Sequence, residues 1–357
     1  MSTTSPSPSP DGGRPGGGRR SSRAPLLAVT AVLVLGAMAA LVLPGILNQT
    51  DVPPSLPGPT SSTTEAAATQ PAPDCGVAEA SLRPDGPATT TVPVGSYMDE
   101  IKARGRLRVG VDVSKLQFSS VNPLTGGFEG FDVDIAREVA NALFGDPGAI
   151  EFVAIPSSER QNVLTDDPAV GDQAFAGVTV DMVADTFTIT CARRQNIDYS
   201  TEYFTSAQRL LVRSDSEADG IEDMGGEKVC AAAGSTSIDT INNLPEPRPI
   251  AQPVTEQADC LVMLQQGEVA AISTDDTILA GMAAQDPNLK IVGPALSTEP
   301  YGLGLPKGHP EWVRYVNAVL EDVRASGRWA ALYDQWLAEA LGGTDASRTP
   351  PPAGYSD

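Results

Sequence analysis

Apolar and polar positions along the middle of the chain switch repeatedly between the period of a strand and that of a helix. Residues 107–111 (LRVGV) read as a strand following a basic helix end. Asp132 can cap a helix in which Ile135, Val139 and Leu143 recur every four residues, with Gly145 as its stop. Residues 151–155, 208–212, 228–231 and 269–274 read as further strands. Between the last two, Thr255 can cap a helix carrying Leu261 and Leu264 and stopped by Gly267. Pro310 opens a helix with Val313, Val316, Leu320 and Val323 on one face, and proline is well tolerated in a first turn. This βαβα succession predicts α/β layers with largely parallel sheets. Trp312, Trp329 and Trp336 recur in the last helices as core packing. Apart from a Ser-Pro run near the start, no internal repeat is visible.

The ends have a different texture. Residues 1–24 are Ser/Pro/Gly-rich, carry Arg14, Arg19, Arg20 and Arg23, and have too little to bury, so a disordered cytoplasmic tail is expected. Residues 25–47 contain an apolar run, unbroken from 26 to 43 except at Thr30. Its length, about 20 residues, suits a single transmembrane helix, and the preceding arginines place the remainder outside the cytoplasm. The alternative is a cleaved secretory signal, with Ala37-Met38-Ala39 as a small-x-small site. Both readings export the rest of the chain. No cysteine closely follows the run, which disfavours lipid attachment. A flexible tether is expected over 48–95, richest in Pro, Ser, Thr and Ala at 51–73, and a second disordered tail over 342–357. The folded body would begin at about Cys75 and end at about Leu341.

Composition narrows the chemistry. The 357 residues suffice for one large domain or two lobes, with 41% hydrophobic residues to fill a core. A formal charge of −21 repels phosphate backbones and argues against nucleic acid as a partner. The lone histidine, His309, leaves no His-containing metal cluster and disfavours Ser-His-Asp or Cys-His catalysis; no cofactor or metal is expected. The four cysteines are not in CxxC pairs, and outside the membrane they can form disulfides. Cys230 ends a strand and Cys260 starts the helix leading to a neighbouring one, which suggests that pair and leaves Cys75 with Cys191. Sequence alone allows three pairings, or free buried thiols.

Five segments occur in an order that carries a resemblance. They are Gly130-Phe131-Asp132-Val133-Asp134-Ile135-Ala136, the run from Thr186 through Cys191 to Arg193-Arg194, Gly234-Ser235-Thr236-Ser237, Ser273-Thr274-Asp275-Asp276 and Glu299-Pro300-Tyr301-Gly302. Over about 96–341 the chain resembles the polar amino-acid-binding proteins of ABC transporters, family 3. The lead-in Asp74-Cys75 and the cysteine positions look most like the actinobacterial glutamine/glutamate-binding branch, whose members supply an importer or a membrane-linked nutrient-sensing pathway. The resemblance implies a bilobed periplasmic-binding-protein-like α/β fold, with two lobes joined by two hinge strands. One lobe would take 96–202 and 304–341, the other 208–298, with hinges near 203–207 and 299–303.

It also implies a site. A free amino acid presents a carboxylate, which suits a guanidinium fork with hydroxyl or backbone donors. Arg193 with Thr186 and Thr188 supplies that set; the plainer reading makes Arg193 a surface charge like Arg194. The ammonium needs a carboxylate, for which Asp275 fits; Asp276 is more simply a helix cap, and Asp275 could be one too. Ser235 and Thr236 open a helix after a glycine turn, as anion donors or as ordinary caps. Phe118 is the motif phenylalanine. Three positions before it, where members with neutral ligands have an apolar residue, stands Lys115. Arg160 with Ser157 matches residues used for acidic ligands. Two cations at the side-chain end imply glutamate or aspartate, with glutamine or asparagine as the other option, unless Lys115 points to water and Arg160 pairs with Glu159 or Asp166. The chain departs from the family at Gln117, Cys191-Ala192 and Ala233, the last reducing side-chain contacts from the second lobe.

The expected function is therefore non-catalytic: a monomer that closes two lobes on a polar, acidic amino acid outside the cytoplasm, then docks on importer membrane subunits or a sensory membrane protein. The alternatives are an exported enzyme on the same fold, such as a prephenate/arogenate dehydratase, and a purely structural domain. The former would need a poised general acid in the cleft. The latter would leave Arg193, Asp275 and Arg160 unexplained. Residues 1–24 carry +3, so the rest of the chain is at −24, and an acidic ligand requires Arg193, Arg160 and Lys115 to make a locally positive cleft.

Overall fold

A computed structural model of the protein describes residues 74–165 and 175–356. The expected cytoplasmic tail, the apolar segment 25–47 and the tether up to residue 73 lie outside the described residues. Among the described residues no helix is long and apolar enough to cross a membrane.

The elements run α1 (Tyr97–Arg104), β1 (Leu107–Val111), β2 (Ser114–Lys115), β3 (Ser119–Val121), β4 (Phe128–Glu129), α2 (Phe131–Phe144), β5 (Ile150–Ala154), β6 (Met182–Val183) and β7 (Asp198–Tyr199). Next come β8 (Phe204–Arg213), β9 (Lys228–Ala232), α3 (Thr236–Asn243), β10 (Ile250–Val254), α4 (Gln257–Gln266), β11 (Ala271–Asp275) and α5 (Asp276–Gln285). The chain closes with β12 (Leu289–Tyr301), β13 (Gly304–Leu305), α6 (Pro310–Ala325), α7 (Arg328–Trp336) and α8 (Ala338–Leu341).

Two five-stranded sheets define two lobes, in the orders β5-β1-β6-β13-β7 and β10-β9-β11-β8-β12. Three neighbouring strands in each are parallel, as the alternating pattern predicts. The remaining pairings are antiparallel, so the sheets are mixed rather than largely parallel. The cause is the double crossing between lobes. The chain passes from β7 into β8 and returns from β12 into β13, and the returning strand must run against the outgoing one. β8 and β12 pair in register from Tyr301 opposite Phe204 to Ser297 opposite Gln208, forming a two-stranded link.

Aromatic rings fill the base of that link. Phe118, Phe131, Phe204, Tyr301 and Trp329 are all buried. Phe118 meets Phe204 edge-on at 5.3 Å and Tyr301 at 5.9 Å between centroids. The first lobe packs one large cluster on the α1/α2/α6/α7 face of its sheet and a smaller one, around Phe187 and Tyr199, on the other. The second lobe divides its apolar residues between two modest clusters, one on each face. Its disulfide, Cys230–Cys260, joins β9 to α4 inside one of these; the other bridge is Cys75–Cys191.

Several local expectations need correction. Asp132 does not cap α2, whose N-cap is Gly130; it turns inward and accepts hydrogen bonds from Thr186 N (2.6 Å) and Tyr203 OH (2.6 Å). The residue preceding α4 is Glu256, not Thr255. Asp276 is no cap either, accepting instead from Ser206 Oγ at 2.7 Å. Residues 74–95 are not a free tether, nor 342–356 a disordered tail. Ser81 is buried and pairs with Tyr355 in a parallel bridge, and Arg83 stands 4.5 Å over the Tyr355 ring. Arg324 donates to Pro351 O at 3.2 Å. Backbone pairing and a cation–π contact hold segments whose side chains offer little to bury.

Candidate ligand-binding site

In both lobes the parallel strands end at one cleft, where open α/β sheets place ligands. In the first lobe β1 leads through Asp112 to Lys115, β5 leads to Ser157 and Arg160, and β6 leads through Asp185 to Thr186, Thr188 and Arg193. In the second, β9 ends at Ala232 and turns at Gly234 into Ser235 and Thr236, while β11 ends at Asp275 itself.

These ends close down on a narrow cleft with only about 10 Å³ of free space, lined by Lys115, Ser157, Arg160, Thr186 and Thr188 on one side. On the other stand Ala232, Ser235, Thr236, Ser237, Gln257, Thr274, Asp275 and Ile278. A wider groove between residues 84–88, α2 and α6 gathers none of these groups. Eight of the ten sequence-predicted residues thus meet at one cavity, against which Arg193 and Phe118 are the two to account for. Arg193 is buried and reaches across the lobes, donating from Nη1 to Thr188 O (2.7 Å) and from Nη2 to Gly234 O (3.0 Å). It is not a surface charge. Phe118 does not line the cavity; its ring belongs to the aromatic cluster below. Arg194 is not simply at the surface, since it donates to Ala78 O and Ala80 O and holds the N-terminal segment.

Arg160 shares the Gly234 carbonyl (3.4 Å) and donates from Nε to Ser157 O (2.9 Å). Both guanidinium groups lie over the Phe187 ring, Arg160 at 4.6 Å and Arg193 at 4.9 Å. Burial pulls the Arg193 pKa below its ordinary value, with Arg160 adding to the effect, while Tyr199, Glu299 and Asp239 oppose it. The backbone at Thr186 is in the left-handed region (φ 40°), a strained conformation for a β-branched residue, and is held by its N–H on Asp132.

On the opposite wall, the Ser235 hydroxyl caps α3 by accepting from Ile238 N at 3.1 Å. Thr236 Oγ1 and Thr188 Oγ1, one from each lobe, both donate to Glu299 Oε2 at 2.7 Å. Glu299 lies on the link strand β12, a position with no role in the sequence-based site. Asp275 stands at the N-cap position before α5 but makes no side-chain cap; Tyr301 OH donates to its Oδ2. Burial, with help from Glu299, pushes the Asp275 carboxyl up to about 7, against the Tyr301 hydrogen bond.

The largest departure from expectation is at Lys115. It is buried rather than pointing to water, but its charge is already met. Nζ donates to Ser157 Oγ (3.1 Å) and to Asp185 Oδ1, and lies 3.5 Å from Asp112 Oδ2. Arg160 Nε is 3.8 Å from Asp185 Oδ2. Arg160 therefore turns to Asp185 rather than to Glu159, and Asp166, the other expected partner, lies outside the described residues. Lys115, Arg160 and Arg193 do converge, but the cleft is not simply positive. Asp185 and Gln257 escaped sequence reasoning, and Glu299 was visible only as part of a motif and not as a site residue, because a single carboxylate or amide carries no periodic signal. Beside Ala233, the Gln257 side chain reaches the cleft and its Oε1 accepts from Ala232 N at 3.1 Å.

The fold and the strand-end cleft define a bilobed α/β binding protein of the periplasmic type. Residues 107–339 match the family model of bacterial extracellular solute-binding proteins, family 3, and the chain belongs to that family. It is 33% identical over 242 residues to the ABC transporter glutamine-binding protein of Bacillus subtilis, covering 67% of this chain and 84% of that one. The glutamate-binding protein of Corynebacterium glutamicum is 30% identical over 247 residues, covering 66% and 79%. Among solved structures, an ancestral arginine-binding protein bound to glutamine superposes with a TM-score of 0.58 at 28% identity, covering 66% of this chain and 98% of that one.

Proposed function

We propose that this protein captures a free polar amino acid, glutamate, aspartate or one of their amides, outside the cytoplasm by closure of its two lobes. It would act without catalysis and present the loaded form to the membrane subunits of an ABC importer. The supporting observation is the convergence of complementary charges from opposite lobes on one narrow cleft. Arg193 with Thr186 and Thr188 suits the α-carboxylate, and the ligand would displace the Gly234 and Thr188 carbonyls from the guanidinium. Asp275 suits the ammonium. Lys115, Ser157 and Arg160 form the side-chain end, with Ser235 and Thr236 closing from the second lobe. Closure gives a partner a shape that the unloaded protein does not hold, which is what an importer or a sensory membrane protein would read. The apolar segment before the body suits a single-pass anchor, or a signal removed on export. The relatives that bind glutamine or glutamate favour the same ligand class here.

A thermal-shift screen of the purified protein against the twenty amino acids tests this directly, because a ligand that binds only the folded state raises the melting temperature by mass action. Stabilisation by glutamine, glutamate, asparagine or aspartate, with recovery of the ligand unchanged, is the expected result. A preference for leucine, or no shift with any amino acid, overturns the proposal.

A further inference from the structure

We propose that Asp185 sets the choice between amide and acid ligands: by holding the Lys115 ammonium it leaves the side-chain end of the cleft charge-balanced, so an amide enters as it is and a second carboxylate enters together with a proton. This deepens the proposed function and rests on it.

The charges are countable. Two cations, Lys115 and Arg160, serve that end. Two carboxylates, Asp112 and Asp185, face them at 3.5 Å or less from Lys115 and 3.8 Å from Arg160. Asp185 is completely buried, and its Oδ2 has no hydrogen-bond partner, as does Asp112 Oδ2. A buried acceptor left unpaired is costly, and the cost falls if the carboxyl takes up a proton or meets a donor. Lys115 lines the cavity whereas Asp185 does not, so Asp185 is a positioning residue that acts through Lys115. The other ionisable groups around it are Asp132 of α2, whose carboxylate is engaged by Thr186 N and Tyr203 OH, and Glu256 at the start of α4. Burial moves both carboxyls upward, so either could also take up a proton, and it is the loss of the uptake in Asp185→Asn that assigns it to Asp185. Burial already moves the Asp185 carboxyl upward, Asp112 reinforcing and Lys115 and Arg160 opposing.

An amide ligand adds no charge: its oxygen accepts from Lys115 or Arg160. A glutamate side chain adds one negative charge beside a balanced set. It becomes tolerable when Asp185 accepts a proton from solvent, which frees Lys115 to face the ligand carboxylate. Net proton uptake should therefore differ by about one between the two ligands.

Isothermal titration of the whole protein near pH 7, in two buffers of different ionisation enthalpy, reads this difference. Glutamate should take up about one proton more than glutamine, and the glutamate-to-glutamine affinity ratio should rise toward tenfold per pH unit lowered. In Asp185→Asn the extra uptake should vanish, and the ratio at pH 7 should shift toward glutamate by at least about tenfold. Equal proton counts for the two ligands in the unaltered protein overturn the inference even if the variant fails to fold. So does a folded Asp185→Asn protein that keeps the original ratio. Failure of every amino acid to bind overturns instead the proposed function, and this inference with it.

Discussion

The two lobes share a topology but divide the chemistry unequally. The first carries Lys115, held by Ser157 and Asp185, and Arg160 and Arg193, held over an aromatic ring and against carbonyls, behind a large continuous core. The second offers hydroxyls, the end of α3 and the Asp275 carboxylate, on a sheet whose apolar residues are split in two and stapled by Cys230–Cys260. Neither wall alone complements a zwitterion. Under the proposed function an amino acid would rest on the first lobe through its carboxylate, and its ammonium would find a counter-charge only when the second arrives. Binding and closure would then be one event, with the residues split into those that grip, those that permit closure and those that keep the second lobe folded.

The strongest way to break this division is at the gripping residue. Arg193→Ala should weaken amino-acid binding by roughly 4 kcal/mol, near a thousandfold, as expected when one partner of a buried charge pair is truncated. The melting temperature without ligand should change little. Calorimetric titration checks both, and an unchanged affinity would remove Arg193 from the site.

The staple comes next. Cys230→Ser with Cys260→Ser opens a bridge of sequence separation 30. In the chain-entropy account it should cost about 3 kcal/mol of folding stability, visible in a urea titration. The loss should fall on the second lobe, with ligand affinity nearly unchanged in the fraction that stays folded. A loss confined to affinity would contradict the division of labour.

Permission to close rests on Gly234. Its φ of 72° suits glycine, and a Cβ there would come within 2.7 Å of Ser158 Cα on the opposite lobe. That contact is with backbone and cannot be relieved by turning a side chain. Gly234→Ala should lower affinity by about 2 kcal/mol, roughly thirtyfold, by disfavouring the closed arrangement while both lobes remain folded. Small-angle scattering should show the altered protein failing to contract with ligand.

How far the sequence speaks follows the same lines. Strands β1 and β9, the helix opened by Pro310 and the glycine stops at 145 and 267 were legible because each is a local pattern. Thr186, Thr188, Ser235, Thr236 and Asp275 were legible as members of short motifs in order. Asp132 and Asp276 were misread as caps, since acidic residues near helix starts carry the same signal whether they face the end of the helix or turn into the protein. Asp185 was missed for a deeper reason. It matters through Lys115, 70 positions away, and no pattern along the chain links a lysine to the carboxylate that neutralises it. Order in the 342–356 segment was likewise hidden, because Tyr355 pairs with Ser81 across nearly the whole body.

The mildest expected effect is the pH response of the second lobe, and its sign discriminates. Asp275 has its carboxyl pushed up to about 7, first by burial and then by Glu299. A carboxyl raised above its unfolded value of about 4 stabilises the fold fully below that value, and the contribution is lost as pH rises through 7. Asp132, also raised to about 7 by burial, acts in the same direction. The unliganded protein should therefore lose stability between about pH 4 and pH 7 and level off above it. Ligand binding runs the other way, because an ammonium needs Asp275 ionised. With glutamine, which leaves Asp185 unprotonated, affinity should rise about tenfold from pH 6 to pH 8. Asp275→Asn should flatten that rise and lower the affinity at pH 8. If the glutamine affinity of the unaltered protein instead falls as pH rises, the ammonium is met elsewhere, and the second lobe contributes shape rather than charge.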